Sequence, residues 1–556
     1  MNPPVTRSAA SRAADKASKA SKPDKAQRLS SGKQAAKPAS GRVAFVGAGP
    51  GDEGLLTVRA RELLASADLV VAGPELTQRL GRLVRSAAEI ADADALAQDP
   101  RLLVKAAKAG QQVVRLLRGD PFLFGHAAAE AAACARAGVP FEVVPGVPEA
   151  TAVPAYAGIP LTSDTSDVRI IHASEVSRVQ ASPGTLVVLG AETGPADLAK
   201  MLVAAGWADS TPFAITWDGT TTDQHTVVCA LGSVSADLKA AGVSLLTAHG
   251  PAVAVVGDGV AAAPSLSWFE TKPLFGWRVL VPRTKEQAGE ATSRLQAWGA
   301  VPEQVPTIAV EPPRTPQQME RAVKGLVTGR YQWIAFTSVN AVRAVREKFE
   351  EYGLDARAFA GIKVAAVGEQ TAAALREFGI MPDLVPDRSQ SAEGLADAWP
   401  AYDKVLDPIN RVLLPRADIA TEGLLSRLTS LGWEAEDVTA YRTVRAAPPP
   451  APIREAIKGG GFDAVLFTSS STVRNLIGIA GKPHAVTVIA VIGPETAKTA
   501  AEFGLRVDVT APRPSVTALV DALAEHGAAL RDAAVAAGEP VRRPSERRRG
   551  ARRRIR

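Results

Sequence analysis

The sequence predicts an α/β protein of several compact units. Three observations carry this: β-branched runs alternating with helical stretches, an internal duplication, and a length too great for one core. At ~100–200 residues per unit, a chain of this size holds about three or four, and its 556 residues are 46% hydrophobic, enough to fill several cores. The runs fall at 43–46, 68–71, 113–116, 141–144, 185–189 and 252–256, then at 278–281, 333–336, 363–367, 411–414, 464–467 and 487–492. Short apolar runs spaced by helix-length stretches are the rhythm of parallel sheets. Between the two series lies 261–276, with prolines at 264 and 273. It reads as a linker between two folded parts. The expected organisation is a disordered basic tail over 1–40, a first folded part over 41–268, a linker over 269–276, a second folded part over 277–527 and a disordered Arg-rich tail over 528–556.

The second part repeats itself. Val279-Leu280-Val281-Pro282-Arg283 matches Val412-Leu413-Leu414-Pro415-Arg416 at an offset of 133, and Ser293-Arg294-Leu295 matches Ser426-Arg427-Leu428 at the same offset. Phe336-Thr337-Ser338 matches Phe467-Thr468-Ser469 at 131, and Gly368-Glu369-Gln370-Thr371 matches Gly493-Pro494-Glu495-Thr496 at 125. A repeat this long is a duplicated domain rather than a solenoid. Two similar domains facing each other leave a cleft, the default place for a ligand.

Charge and composition exclude several classes. The net charge of +6 is carried by the ends: residues 1–40 hold +7 and 541–556 hold +8, which leaves the body at −9. Both ends lack the apolar content to fold. They suit an acidic partner, RNA or DNA, or simply solubility. The acidic body, the 5% aromatic content and the lack of a nucleic-acid motif argue against a nucleic-acid-binding protein. No apolar run approaches the ~20 residues of a membrane span, and no apolar core follows the basic N-terminus as in a secretory signal. Cys134 and Cys229 fit neither a disulfide framework nor a zinc site, so a cytoplasmic location is expected. The six histidines are scattered, so no metal is expected.

In the second part each repeated motif is a hydrophobic strand ending in Ser, Thr or Gly just before a helix. Hydroxyls and free N–H groups then sit at helix N-termini, where the dipole favours anions. Several such ends converging on one cleft suit a ligand with many carboxylates. Ser338, Ser470, Thr371 and Thr496 occupy these places, where each would also serve as an ordinary N-cap. The ordered set of Arg283, Pro306-Thr307, Phe336-Thr337-Ser338-Val339-Asn340-Ala341, Gly368 to Thr371, Thr439-Ala440-Tyr441, 467–472 and 493–496 resembles uroporphyrinogen-III synthase across the part's full length. That resemblance implies a dehydrating cyclisation of hydroxymethylbilane, with inversion of the last pyrrole ring and no cofactor. It implies Tyr441 as proton donor to the departing hydroxyl. It also implies Arg283, Thr337, Ser338, Asn340, Thr371, Ser470 and Thr496 as substrate-binding residues. Arg283 and Arg416 suit carboxylates, or ion pairs at the surface or between domains.

The first part opens with Gly47-Ala48-Gly49-Pro50-Gly51-Asp52. A dinucleotide fingerprint needs Gly or Ala where Asp52 stands, and Pro50 alters the turn. Further on come Gly119-Asp120-Pro121 within 115–125, Val144-Pro145-Gly146-Val147, the stretch 154–162, and Gly219-Thr220 with Gln224. This set resembles the tetrapyrrole methylases, and among them the uroporphyrinogen-III C-methyltransferases, over 42–269. The resemblance implies a two-lobed fold that binds S-adenosylmethionine and methylates two pyrrole carbons, yielding precorrin-2. It implies a cofactor site of Gly47, Gly49, Pro50, Gly51 and Asp52, with Gly119, Asp120 and Pro121 near the methionine part. Thr151, Ala152, Gly219 and Thr220 would lie near the adenosine. It also implies a homodimer through this half. Three substrate-loop positions depart from the family. Ala72-Gly73-Pro74 stands for Tyr-Asp-Arg, His126-Ala127-Ala128 for an Arg-Gly-Gly loop, and Ser163-Asp164 for His-Arg. Two readings follow: a fused pair of enzymes with tetrapyrrole substrates, or a synthase carrying an inert methylase-like scaffold.

Overall fold

The computed structural model describes residues 41–99, 101–124, 127–162, 167–192, 194–241, 251–283, 285–387, 389–418 and 423–547. The tail expected over 1–40 lies outside them. The chain divides into two compact units, one holding 41–48 and 56–146, the other 49–55 and everything from 147.

The first unit is a parallel sheet in the order β3-β2-β4-β1-β5. Its strands are β1 (Arg42–Gly47), β2 (Leu69–Ala72), β3 (Glu89–Asp92), β4 (Gln112–Leu117) and β5 (Phe141–Val144). Helices cover both faces, so β1 and β2 are buried almost throughout, as parallel strands must be. Alternate residues feed two cores: Ala44 and Val46 pack with Leu63 and Leu64, while Val43 and Phe45 pack with Leu103 and Cys134.

The second unit begins with a sheet in the order β6-β7-β10-β8-β9, from β6 (Val168–His172), β7 (Thr185–Leu189), β8 (Pro212–Trp217), β9 (His225–Ala230) and β10 (Ala252–Val256). Here the expectation of a parallel sheet needs correction. Only β6 and β7 run parallel; β7 to β10, β10 to β8 and β8 to β9 are antiparallel. The seven residues between β8 and β9 are too few for the crossover that parallel neighbours require.

Two further sheets follow. One has the order β12-β11-β18-β19-β20 and the other β13-β17-β16-β14-β15. Their strands are β11 (Arg278–Val281), β12 (Val301–Gln304), β13 (Ile308–Glu311), β14 (Trp333–Phe336), β15 (Lys363–Ala366), β16 (Arg411–Ala417), β17 (Glu434–Arg445), β18 (Ala464–Phe467), β19 (Val488–Val491) and β20 (Val509–Thr510). The duplication is present, but repeats and domains do not coincide. The opening strand of the first repeat, β11, pairs with β18 of the second (Val279 opposite Ala464). The opening strand of the second, β16, pairs with β14 of the first (Trp333 opposite Val412). Each sheet is thus completed by the other repeat's first two strands, β11 and β12 in one and β16 and β17 in the other. β17 serves twice, parallel to β16 along its first part and antiparallel to β13 along its last, from Ile308 opposite Arg445 to Glu311 opposite Arg442.

The C-terminal boundary also needs correction. The helix Val516–Ala536 buries Leu519, Leu523 and Gly527, with Leu530 packed on the same core. The described chain continues to 547, and the rest of the expected tail lies outside the described residues. Pro544 is buried, Arg543 donates to the Gly276 carbonyl at 2.6 Å, and the Ser545 amide donates to Asp463 at 2.8 Å. The buried Asp463 carboxylate also accepts from the Arg278 amide. The charge of 541–556 hid this apolar helix and its returning strap. The linker 269–276 is likewise packed: Phe269 and Leu274 are buried, and the Leu274 and Gly276 amides donate to Trp298 and Gly299.

Candidate functional site

In the first unit three glycines meet at the carboxyl ends of β1, β4 and β5. A Cβ on Gly47 would lie 2.5 Å from the Gly146 Cα and 2.6 Å from the Gly119 carbonyl oxygen, and one on Gly146 only 2.1 Å from that same oxygen. Gly119 has φ +58, which glycine adopts without strain. Asp120 fixes the turn, accepting from the Phe122 amide at 2.9 Å and the Gly146 amide at 3.1 Å. Pro121 is buried behind it. At the departing position Gly73 precedes the helix Pro74–Leu80, of which Pro74 is the first residue. His126, Ser163 and Asp164 lie outside the described residues.

In the second unit three segments converge: 49–55, the helix Glu149–Tyr156 and the turn between β8 and β9. A Cβ on Gly51 would sit 2.6 Å from Thr220 Oγ1 and 2.8 Å from the Gly219 carbonyl oxygen. One on Gly219 would strike Val153 at 2.5 Å. Asp52 is the hub. Its amide donates to Thr220 Oγ1 at 2.9 Å, and its carboxylate accepts from the Gly54 amide at 2.7 Å and the Tyr156 hydroxyl at 2.8 Å. A glycine here would leave all of the carboxylate's bonds unmade, which explains the departure from the dinucleotide pattern. Burial and the Asp52 bond push the Tyr156 phenol well above its ordinary range. Thr220 has φ +67 and Asp218 φ +48. A β-branched residue in this region stores about 1–3 kcal/mol of strain and persists only where its surroundings hold it, typically at a functional site. The Thr220 amide donates to Gln224 Oε1 at 2.7 Å. Gly49 has φ +68, and Pro50 is buried beside it. Thr151 is exposed, with its hydroxyl donating to the Pro148 carbonyl, and Ala152 is buried.

In the last two sheets, four helices begin at the carboxyl ends of parallel strands. Val339–Glu351 follows β14, Glu369–Glu377 follows β15, Ser470–Ala480 follows β18 and Pro494–Glu502 follows β19. Such edges are where open α/β sheets bind ligands. Ser338 is an N-cap whose Oγ accepts from the Ala341 amide at 3.1 Å. The same Oγ lies 3.0 Å from the Tyr441 hydroxyl, 103 residues away. Tyr441, on β17, is 7% exposed. With Glu311, Asn340, Arg343 and Lys348 it lines a cavity of about 290 Å³. Thr337 is half-buried at the end of β14.

The four hydroxyl positions are not equivalent. Gly368 and Gly493 are the N-caps of their helices, so Thr371 and Thr496 are third helical residues, 3% and 4% exposed. Ser469 is the N-cap of its helix, and Ser470 is the first helical residue, donating to the Glu495 carbonyl at 3.1 Å. The offset of 131 pairs Ser338 with Ser469, so the equivalent N-cap is Ser469 rather than the expected Ser470. Arg283 follows β11, and burial pushes its guanidinium down against the pull of Glu290. Arg416 is buried and forms an ion pair with Asp437 on the adjacent strand. The pair is neither at the surface nor between domains, because Arg416 is buried and Asp437 lies on the neighbouring strand of the same sheet. Sequence reasoning named Ser469 only as the repeat partner of Ser338, and it did not single out Tyr156 or Glu270. Glu270, in the linker, accepts from Gln224 Nε2 at 2.9 Å.

Two family models match the chain, and the methylase match spans parts of both compact units. The family model for uroporphyrinogen-III synthase HemD matches residues 289–521, and that for tetrapyrrole (corrin/porphyrin) methylases matches 42–235. Siroheme synthase 1 of Klebsiella pneumoniae subsp. pneumoniae is 37% identical over 249 residues, 42% of this chain and 51% of its own. The chain therefore spans about half the length of that relative. The crystal structure of uroporphyrin-III C-methyl transferase from Thermus thermophilus, complexed with S-adenyl homocysteine, is 31% identical. Its TM-score is 0.34, and the match covers 40% of this chain and 99% of that one. Porphyrin biosynthesis protein HemD of Ruminiclostridium josui is 33% identical over 510 residues, which cover 88% of this chain and 98% of the relative. That match runs through both halves, and the chain belongs to the HemD porphyrin-biosynthesis proteins, with a tetrapyrrole methylase domain preceding a uroporphyrinogen-III synthase domain in this chain.

Proposed function

We propose that the synthase domain closes hydroxymethylbilane to uroporphyrinogen III with loss of water, and that the methylase domain methylates that product twice to give precorrin-2. The observation that carries this reading is the joining of the two domains in one chain, with a relative that runs the length of both. The product of the first reaction is the substrate of the second.

In the synthase domain the Ser338–Tyr441 pair supplies the proton. Ser338 Oγ already accepts from the Ala341 amide, so its own proton is free to point at the Tyr441 oxygen 3.0 Å away. The phenolic proton is then free for the bilane's hydroxyl. As the C–O bond breaks, that oxygen leaves as water. Asn340 and Arg343 on the cavity wall, together with Arg283, Thr337, Thr371, Ser470 and Thr496 at the strand ends, bind the bilane and its carboxylates.

In the methylase domain the residues present fit S-adenosylmethionine. Gly47, Gly119 and Gly146 leave a backbone floor that any side chain would fill. In the second unit, taken by itself, Gly49, Pro50, Gly51, Asp52, Gly219 and the strained Thr220 form a rigid wall, with Thr151 and Ala152 on the neighbouring helix. When bound, the cofactor supplies the electrophilic methyl group. The chain's part is to hold it by backbone contact and by the loops fixed through Asp52, Asp120 and Gln224. A cytoplasmic location accords with Cys134 and Cys229, both unpaired, and a homodimer through the methylase half is part of the same reading. Titration calorimetry with S-adenosylhomocysteine tests the cofactor assignment. One site per chain is expected, and the absence of any heat of binding would overturn it.

A further inference from the structure

The geometry points to Glu270, in the segment joining the two halves, as a positioning residue for the Gly219–Thr220 loop of the methylase. The inference rests on the cofactor reading above for its consequence, but not for its geometry.

Thr220 is held in a left-handed conformation from two sides. Its Oγ1 accepts from the Asp52 amide, and its own amide donates to Gln224 Oε1 at 2.7 Å. Gln224 is 3% exposed, and a carboxamide in that setting can face either way. Only the orientation with oxygen toward Thr220 satisfies the amide, and Glu270 selects it. A carboxylate accepts and cannot donate, so Gln224 must turn its NH2 toward Glu270, at 2.9 Å. Glu270 is itself fixed by the Thr226 hydroxyl at 2.6 Å and the Thr226 amide at 3.3 Å. Its neighbours lock the segment in place. Trp268 donates from Nε1 to the Ala155 carbonyl at 3.0 Å, and Phe269 meets the Tyr156 ring edge-on at 4.7 Å between centroids. The relay Glu270–Gln224–Thr220–Asp52–Tyr156 thus runs from the linker through both loops of this wall. Glu270 lies beyond the methylase family match, which ends at residue 235.

The test uses the full chain and two variants. Glu270→Gln keeps the size and an oxygen for Thr226 but no longer dictates which way Gln224 faces. Glu270→Ala removes the acceptor. Amide hydrogen exchange over 218–226 should quicken at least tenfold in Glu270→Ala and severalfold in Glu270→Gln, with peptides from 277–527 unchanged. Wild-type exchange over 218–226 in both variants would overturn the proposal, as would quickening spread evenly over the chain in both. Titration with S-adenosylhomocysteine adds the consequence: Kd should rise about tenfold in Glu270→Gln at unchanged synthase turnover. If the wild-type chain binds none, the cofactor reading fails, while the exchange result still decides the role of Glu270.

Discussion

Tyr441→Phe is expected to lower uroporphyrinogen III formation by about 100-fold, at the lower end of what a positioned general acid contributes. The loss in stability should be about 1 kcal/mol, the worth of one hydrogen bond. The two effects separate because the ring and the hydroxyl do different work. The ring packs in the core of its domain among residues such as Phe336, Val345 and Ala440, and phenylalanine preserves that packing. The hydroxyl's protein partner is Ser338 Oγ, which keeps its N-cap bond to Ala341 in the variant. Initial rates on hydroxymethylbilane, with a urea unfolding curve on the same sample, check this. A variant with wild-type turnover would remove Tyr441 from the proton transfer, and a rate loss matched by unfolding would reduce it to a packing residue.

Gly51→Ala is expected to weaken S-adenosylhomocysteine binding by about 100-fold while the synthase keeps its rate. The added methyl would stand 2.6 Å from Thr220 Oγ1 and 2.8 Å from the Gly219 carbonyl. Neither can yield cheaply. The Thr220 hydroxyl is tied to the Asp52 amide, and the Gly219 backbone abuts Val153. Overpacking of this kind costs about 1–3 kcal/mol, and about 2.8 kcal/mol is 100-fold in affinity. Calorimetry on the variant beside a synthase assay is the check. Unchanged affinity would mean that this wall does not face the cofactor.

What the sequence made legible follows from burial. β1, β14 and β18 are covered on both faces, so their apolar runs stand out. Edge strands do not announce themselves: β3 is Glu-Ile-Ala-Asp with three of four residues exposed, and β12 carries a proline. The duplication was visible, but the exchange of first strands was not. A repeated pattern fits equally well in its own sheet or in its twin's, and only long-range pairing decides. In the site, Ser338 was legible from the repeated strand ends and Tyr441 from the resemblance, while their 3.0 Å contact is a property of the fold. Asp52 looked like a defect in a glycine motif until its three hydrogen bonds explained it. Glu270 sat in a stretch read as a tether, and the C-terminal strap sat in a stretch read as charge. Both follow from treating composition as a substitute for packing.

Two consecutive reactions carried by one chain should be separable by the methyl donor. Hydroxymethylbilane supplied to the full-length protein with S-adenosylmethionine, followed by mass analysis of the products, tests this most directly. The account predicts uroporphyrinogen III when the methyl donor is withheld and a product heavier by two methyl groups when it is present. Uroporphyrinogen III without methylation under both conditions would leave the methylase domain a scaffold and contradict the account.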